Sequence, residues 1–484
     1  MQSLRHFFRI IKIARVLARH GALFLFEEWG FAPNIVGFLK AITIKQKNQD
    51  RPGKRLAAAL QELGPAFIKL GQALSTRSDL LGEDVAQDLA LLRDRLPTFP
   101  TEVAIEVIES ELGKKLNKLF KKFDEEPVGA ASIAQVHFAE DLEGNKVAVK
   151  VLRPDIEKKF NRDVELLFWL AANLEKKLPR LQRFKLKEVI EVFAEAVRIE
   201  MDLRLEAAAA TELREQLKND QEIYIPKIYW EKTAQRVLTL ERINGISIGD
   251  AKALKKSKYK PQDIVQKLST GLFKMAFRDG FFHADMHPGN LFIDKDGRLV
   301  LIDFGITGSL SEKDRKFIAQ MLHAFMNRDF TTVAEMHYEM GMVPNRDAVR
   351  AFALACRAIA EPILGLPQNE ISIARLMAQL FKVAEDFKME LQPQFLMMQK
   401  AMMLAEGVSR MVYPKVNMWK LAEPIINQWA EDNLGPEAKL KEKVKEIKNL
   451  ATRFNKAVKA IEDCYTPQGI RLHPDTVAAF KAGK

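Results

Sequence analysis

The sequence predicts an α+β fold, in which two β-hairpins are set among long helical stretches. Three observations carry this. Val147, Val149 and Val151 alternate with Ala148 and Lys150 behind a Glu143-Gly144-Asn145 turn. Residues 133–139 supply the partner strand, so period-two alternation across a short turn makes a hairpin. Apolar runs at 291–293 and 299–302 flank Asp294-Lys295-Asp296-Gly297 as a second hairpin. Elsewhere apolar residues recur at the spacing of an amphipathic helix.

The 484 residues are enough for a large core and more than one structural unit. At 47% hydrophobic and 29% charged, the composition is that of a folded protein, without repeats or low-complexity stretches. Cys356 and Cys464 are the two cysteines; without a CxxC they read as free thiols in a reducing compartment. The net charge of +11 invites a polyanionic partner but does not choose among nucleic acid, anionic lipid and phosphorylated ligand. Nucleic acid is not expected, because the basic residues lie on amphipathic helices without an aromatic platform or a DNA-binding motif.

Residues 1–45 form a basic amphipathic leader. Arg5, Arg9, Lys12, Arg15 and Arg19 fall along one helical face, while Leu4, Phe7, Phe8, Ile10, Ile11, Ile13 and Leu17 cover much of the rest. Such a helix suits a bilayer interface with its charges toward anionic headgroups, and the apolar 22–26 patch would deepen the contact. The alternative is a helix packed on the main domain with a solvated basic edge. The interleaved charges do not make a secretory signal, and no run of about 18 apolar residues offers a membrane span.

Residues 46–125 read as a helical extension, helical from 54 on, with turns at Gly64-Pro65 and Leu96-Pro97. Residues 126–245 hold the first hairpin, helices over about 162–217 and a strand at 236–240. Residues 246–435 begin with a helix at 262–277, carry the second hairpin, and read as wholly helical beyond Ser311. Residues 436–484 form a Lys-rich tail in which Leu440, Val444, Ile447, Ala451, Phe454, Val458 and Ile461 make a heptad stripe.

The strongest chemical signal is His283-Ala-Asp285-Met-His-Pro-Gly-Asn290, followed thirteen residues after Asn290 by Asp303-Phe304-Gly305. Phosphoryl transfer from ATP needs metal to neutralise phosphates and a carboxylate near the acceptor. Asp285 would orient or deprotonate an acceptor hydroxyl, and Asn290 and Asp303 would hold magnesium. An alternative makes His283, Asp285 and His287 ligands of a transition metal, which leaves Asn290 and Asp303 unexplained.

Lys150, in Val-Ala-Val-Lys-Val, points opposite to the valines and can aim at nucleotide phosphates. Glu200-Met-Asp202, with Glu206 beyond, offers acidic partners, of which Glu200 is the expected one. Where a glycine-rich phosphate loop would stand there is Gly129-Ala130-Ala131-Ser132-Ile133-Ala134-Gln135. Ala130, Ala131, Ser132 and Ile133 would meet nucleotide, but a β-carbon restricts close wrapping of the phosphates. No Ala-Pro-Glu follows Gly305, which argues against routine phosphorylation of protein substrates.

These residues, with Lys69-Leu-Gly-Gln72 and Gln135-Val-His137, resemble the UbiB family of atypical kinases over most of the chain. The resemblance implies a protein-kinase-like two-lobed fold with an N-terminal helical extension and a helical C-terminal region. It implies that Lys69 and Gln72 lie over a nucleotide cleft, with Lys69 on the Glu200/Asp202 pair occluding the place of a peptide substrate. It further implies ATP and Mg as ligands and ATPase activity linked to ubiquinone biosynthesis. Polyprenyl-phenol quinone precursors and other ubiquinone biosynthesis enzymes would be partners, at the cytoplasmic face of a bacterial inner membrane. Two departures stand out. Many relatives have Ala at the Gly129 position, and bacterial relatives often end in transmembrane segments where this chain is Lys-rich. A pseudokinase scaffold and a small-molecule kinase are the competing readings. Met397, Met398, Met402, Met403 and Met411 fit ordinary helical core better than a prenyl-tail pocket.

Overall fold

The computed structural model describes residues 2–24, 50–75, 81–90, 97–177, 185–343, 345–364 and 392–416, with isolated positions elsewhere. Its described residues form two compact units, Met1–Ala253 with Gly289–Ile306, and Leu254–Pro288 with Thr307–Lys484. Residues 289–306, inside the 246–435 stretch, group with the first unit.

The first unit opens with helix α1, Gln2–Arg19. Helices α2 (Pro52–Leu63) and α3 (Pro65–Leu74) each begin on a proline, whose fixed φ suits the first helical position and whose missing N–H costs nothing there. Helices α4 (Glu83–Ala90) and α5 (Thr101–Leu112) complete the extension. The end of α1 and the turn after it pack inward: Val16, Leu17 and Ala18, then Ala22 and Leu23, are all buried. Arg9 pairs with Asp163, and Arg19 and His20 both reach Glu62. Between Arg9 and Leu23 the leader therefore packs on its own unit, with Lys12 and Arg15 exposed.

Strands β1 (Phe120–Phe123), β2 (Gly129–Ala130), β3 (Ala134–Asp141) and β4 (Lys146–Leu152) follow. β1 falls where the sequence reads as helix. Phe-Lys-Lys-Phe is too short to display period-two alternation, and its strand form comes from antiparallel pairing to β3 across a bulge. Helices α6 (Ile156–Lys177), α7 (Leu186–Glu200) and α8 (Leu203–Gln216) come next, then β5 (Ile223–Tyr224), β6 (Val237–Glu241) and β7 (Gly245–Ser247). The main sheet runs β1-β3-β4-β6, with β2 also on β3. Lys150 pairs with Val136 on one side and Leu238 on the other. Val147, Val149 and Val151 are fully buried in a cluster with Ala104 and Ile108 of α5. Burying each valine is worth about 1.5–3 kcal/mol. The alternation that puts the valines inward puts Lys150 on the other face.

In the second unit, helix α9 (Pro261–Phe273) runs into a single π-helical stretch, Lys274–Asp279, and then strand β8, Phe281–His283. Strands β9 (Leu291–Asp294) and β10 (Leu299–Leu301) belong to the first unit, in a sheet ordered β5-β10-β9-β7. Strand β11 (Thr307–Ser309) pairs antiparallel with β8. Helix α10 (Glu312–Met326) starts on a capping box between Ser311 and Asp314, which satisfies two otherwise orphaned N–H groups. Helices α11 (Phe330–Glu339) and α12 (Ala348–Leu364) pack with α10 around Phe325, Phe330, Phe352 and Cys356. Helix α13, Pro393–Val412, carries the methionine-rich stretch and lies against α9. Met398 and Met402 are buried core, while Met403 and Met411 are exposed. A short hairpin, β12 (Tyr465–Thr466) with β13 (Gly469–Ile470), departs from the wholly helical expectation beyond Ser311. Each strand is two residues long, too brief for periodicity to register. The heptad stripe lies outside the described residues.

Gly280 ends the π-helical stretch at φ 79, with its N–H donated to Met275 O. A β-carbon there would come within 2.7 Å of Leu310 O, whose own N–H binds the Gly280 carbonyl. Positive φ and a backbone clash add, so Gly280→Ala is expected to lower the unfolding free energy by about 2–4 kcal/mol, read by urea titration. A loss under about 0.5 kcal/mol would show that this corner can relax.

Candidate active site

In the first unit three charged side chains meet. Lys150 Nζ lies 2.9 Å from both carboxylate oxygens of Glu206 and 3.3 Å from Asp303 Oδ1. The Lys150 and Glu206 side chains are 15% and 9% exposed, whereas Asp303 is 49% exposed. Burial opposes the charge on Lys150, but the Asp303 and Glu206 carboxylates outweigh it and hold its pKa above the ordinary lysine range. Burial also pushes the Glu206 carboxyl up, against the Lys150 ammonium and the Phe304 N–H, which favour its charged form. Asp303 follows β10 at φ 60, a backbone region that few residues other than glycine adopt and that recurs at functional sites.

Glu206, not Glu200, is therefore the partner of Lys150. Asp202 explains the correction. Its side chain accepts the Arg204 N–H as an N-cap, so the helical run expected over 162–217 breaks there and restarts as α8. Glu206 then sits on the buried face of α8 with Leu203, Ala207, Ala210 and Leu213. An acidic residue in the middle of an apolar stripe is the sequence signal that would have found it.

Glu200, at the end of α7, instead receives Lys69 Nζ at 2.7 Å, with the side chains 13% and 20% exposed. Asp202 does not join them, because its carboxylate is held by the Arg204 guanidinium at 2.6–2.9 Å. Lys69 lies on α3, where Gly71 lets the helix approach its neighbours. A β-carbon at Gly71 would fall 2.5 Å from Leu92 Cδ1 and 2.7 Å from Leu60 Cδ1. Gln72, one residue on, is half-buried.

The Ala-rich loop is closed on itself. The Ala131 N–H is donated to Ala134 O at 2.8 Å, so it is not offered to phosphates as a glycine-rich loop would offer its own. Ser132 is fully buried, and its hydroxyl has no hydrogen-bond partner. Arg153, which sequence reasoning missed, fixes the other side of the loop. It donates from its guanidinium to Ala131 O at 3.0 Å and to Pro97 O at 2.7 Å, and from its backbone to Ile133 O. Gln135 exchanges two hydrogen bonds with the Phe99 backbone and donates to His137 Nε2 at 2.9 Å. His137 in turn donates from Nδ1 to Asp124 O, so the loop's far strand is tied to both flanking segments.

In the second unit His283 is fully buried, and its Nδ1 accepts the Asp285 backbone N–H at 3.1 Å. That bond shapes the chain around Asp285 and takes Nδ1 away from any metal. Among the described residues no three His, Cys, Asp or Glu side chains group as a metal cage. The transition-metal alternative loses its ligand set, while Asn290 and Asp303 supply oxygens of the kind magnesium takes alongside phosphates and water. Asp285 has a neighbour that the motif did not announce: Lys400 Nζ of α13 lies 3.9 Å from its Oδ1.

A family model described as the ABC1 atypical kinase-like domain matches residues 91–337, and one described as the UbiB helical domain matches 356–417. A Marinobacter nauticus protein named probable protein kinase UbiB is 42% identical over 393 residues, 80% of this chain and 72% of that one. A Pseudomonas paraeruginosa protein of the same name is 37% identical over 444 residues, 90% of this chain and 83% of that one. The chain belongs to the UbiB family. Among solved structures, the Rv3197–erythromycin complex from Mycobacterium tuberculosis matches with a TM-score of 0.50 at 22% identity. That match covers 77% of this chain and 95% of that one, and it shows the fold alone. The α+β kinase-like fold with a helical C-terminal region, expected from sequence, is borne out. In this UbiB-family chain no described helix is long and apolar enough to cross a membrane.

Burial holds the pKa of His137 below the ordinary imidazole value of about 6.5. Protonation would also turn Nε2 into a donor facing the Gln135 amide N–H. The unfolded chain protonates this ring near its ordinary value, so its contribution to stability is complete above about pH 6.5 and is lost as pH falls through the lower folded-state value. Unfolding free energy should therefore decline from about pH 7 to pH 5. His137→Gln should flatten part of that decline, and an unchanged slope in urea titrations would contradict the assignment.

Proposed function

We propose that this chain binds Mg-ATP and turns it over in support of ubiquinone biosynthesis. The observation that carries the reading is the Lys150–Glu206–Asp303 cluster: a strand lysine, held charged by a buried helical carboxylate, beside the aspartate of an Asp-Phe-Gly turn. Phosphoryl transfer asks for little covalent chemistry and much electrostatic positioning, and these groups suit it. Lys150 holds nucleotide phosphate oxygens, with Glu206 fixing its direction. Asp303 and Asn290 would hold the magnesium ion, which when bound neutralises phosphate charge. Asp285 orients the acceptor, water in the ATPase reaction, and takes its proton. The self-closed Ala131 turn and the Lys69–Glu200 pair support an ATPase or small-acceptor activity rather than phosphorylation of protein substrates.

The same proposal has ATP turnover serve the handling of polyprenyl-phenol intermediates for membrane-bound hydroxylation enzymes. The chain would sit peripherally on an anionic cytoplasmic membrane face. Exposed Lys12 and Arg15 of α1 and the Lys-rich C-terminal sequence support such attachment.

Mg-ATP hydrolysis by the purified chain is the test, and Asp303→Asn should lower kcat about 100-fold or more. The same variant should fail to restore quinone levels in a deletion strain. Full turnover by Asp303→Asn would remove the reading. Nucleotide binding without any turnover would favour a scaffold instead.

A further inference from the structure

Asp285 lies just after β8, whose partner β11 pairs Thr307 with His283. Helix α13 packs on α9 and on β11, so the helical C-terminal region lies against the ribbon that leads into Asp285. Met398, Ala401, Met402 and Ala405 are buried and anchor α13 on one side. Lys400 lies away from that buried stripe, its side chain 43% exposed and near an Asp285 that is 31% exposed. The separation of 3.9 Å is longer than a hydrogen bond yet well within charge attraction. A phosphoryl oxygen or an acceptor hydroxyl can touch both groups at that spacing.

We propose that Lys400 is a further catalytic residue, binding an oxygen of the transferring phosphoryl group while Asp285 receives the acceptor proton. This rests on the ATP-turnover reading above. In the step, the bond from the γ-phosphorus to its bridging oxygen breaks, and ADP leaves with the electron pair. A new bond forms from the γ-phosphorus to the acceptor oxygen, whose proton passes to Asp285. Lys400 keeps its proton throughout and offsets charge on the phosphoryl oxygens. The helical region that follows the kinase-like domain thus contributes to the chemistry as well as to packing.

The test uses the full chain with Lys400→Met and Lys400→Arg, alongside wild type and Asp303→Asn. Steady-state Mg-ATP hydrolysis gives kcat and KM, and titrations give affinity for Mg-ADP with and without aluminium fluoride as a phosphoryl mimic. Lys400→Met should lower kcat about 100-fold and weaken the aluminium fluoride complex by a similar factor, with Mg-ADP affinity within about twofold of wild type. Lys400→Arg should recover part of both losses, since the cation is retained. A wild-type kcat in Lys400→Met, or parallel losses in Mg-ADP and aluminium fluoride binding, overturns the role of Lys400 and leaves the ATPase reading standing. A wild-type chain without Asp303-dependent turnover overturns the reading and this proposal together.

Discussion

The contact on which the site depends is the two-oxygen ion pair between Lys150 and Glu206. Its members come from a strand and a helix 56 residues apart, so it forms only if the sheet and α8 have both assembled. Removing one partner of a buried pair leaves the other charge uncompensated, at a cost of about 3–5 kcal/mol. The pair is therefore a weak source of net stability but a strong constraint on arrangement. Asp303 adds a third charge at 3.3 Å, and its positive-φ backbone shows that the Asp-Phe-Gly turn is held in a costly conformation by its surroundings.

A second carboxylate pair flanks the same helix junction. Asp202 caps α8 and thereby separates two glutamates that the sequence places close together: Glu200 ends α7 and meets Lys69, while Glu206 turns inward to Lys150. One helix break thus distributes two acidic residues between the extension and the sheet. The extension is held as closely elsewhere, by Gly71 against two leucines and by Arg153 bridging Pro97 to the Ala-rich loop.

Much of this was legible in the sequence where the signal is local. Alternating valines give β4 and the outward face of Lys150, and Gly64-Pro65 marks the joint between α2 and α3. What escaped was set by tertiary pairing. Phe120–Phe123 is a strand because β3 accepts it, and Lys400 reaches Asp285 across 115 positions of chain with no motif to join them. Glu206 was visible in principle as a charge inside an apolar stripe, but Glu200 and Asp202 formed the more conspicuous motif. The leader illustrates an ambiguity inherent in amphipathic helices. Its basic face suits lipid headgroups, yet Arg9 and Arg19 serve Asp163 and Glu62, a use that periodicity cannot distinguish.

The most direct test of the ion pair's place at the centre of the site is calorimetric titration of Mg-ATP into Glu206→Gln and Glu200→Gln. If Lys150 is directed by Glu206, Glu206→Gln should weaken binding about tenfold or more, whereas Glu200→Gln should stay within about threefold of wild type. Unaltered binding in Glu206→Gln, with the loss appearing in Glu200→Gln, would contradict it.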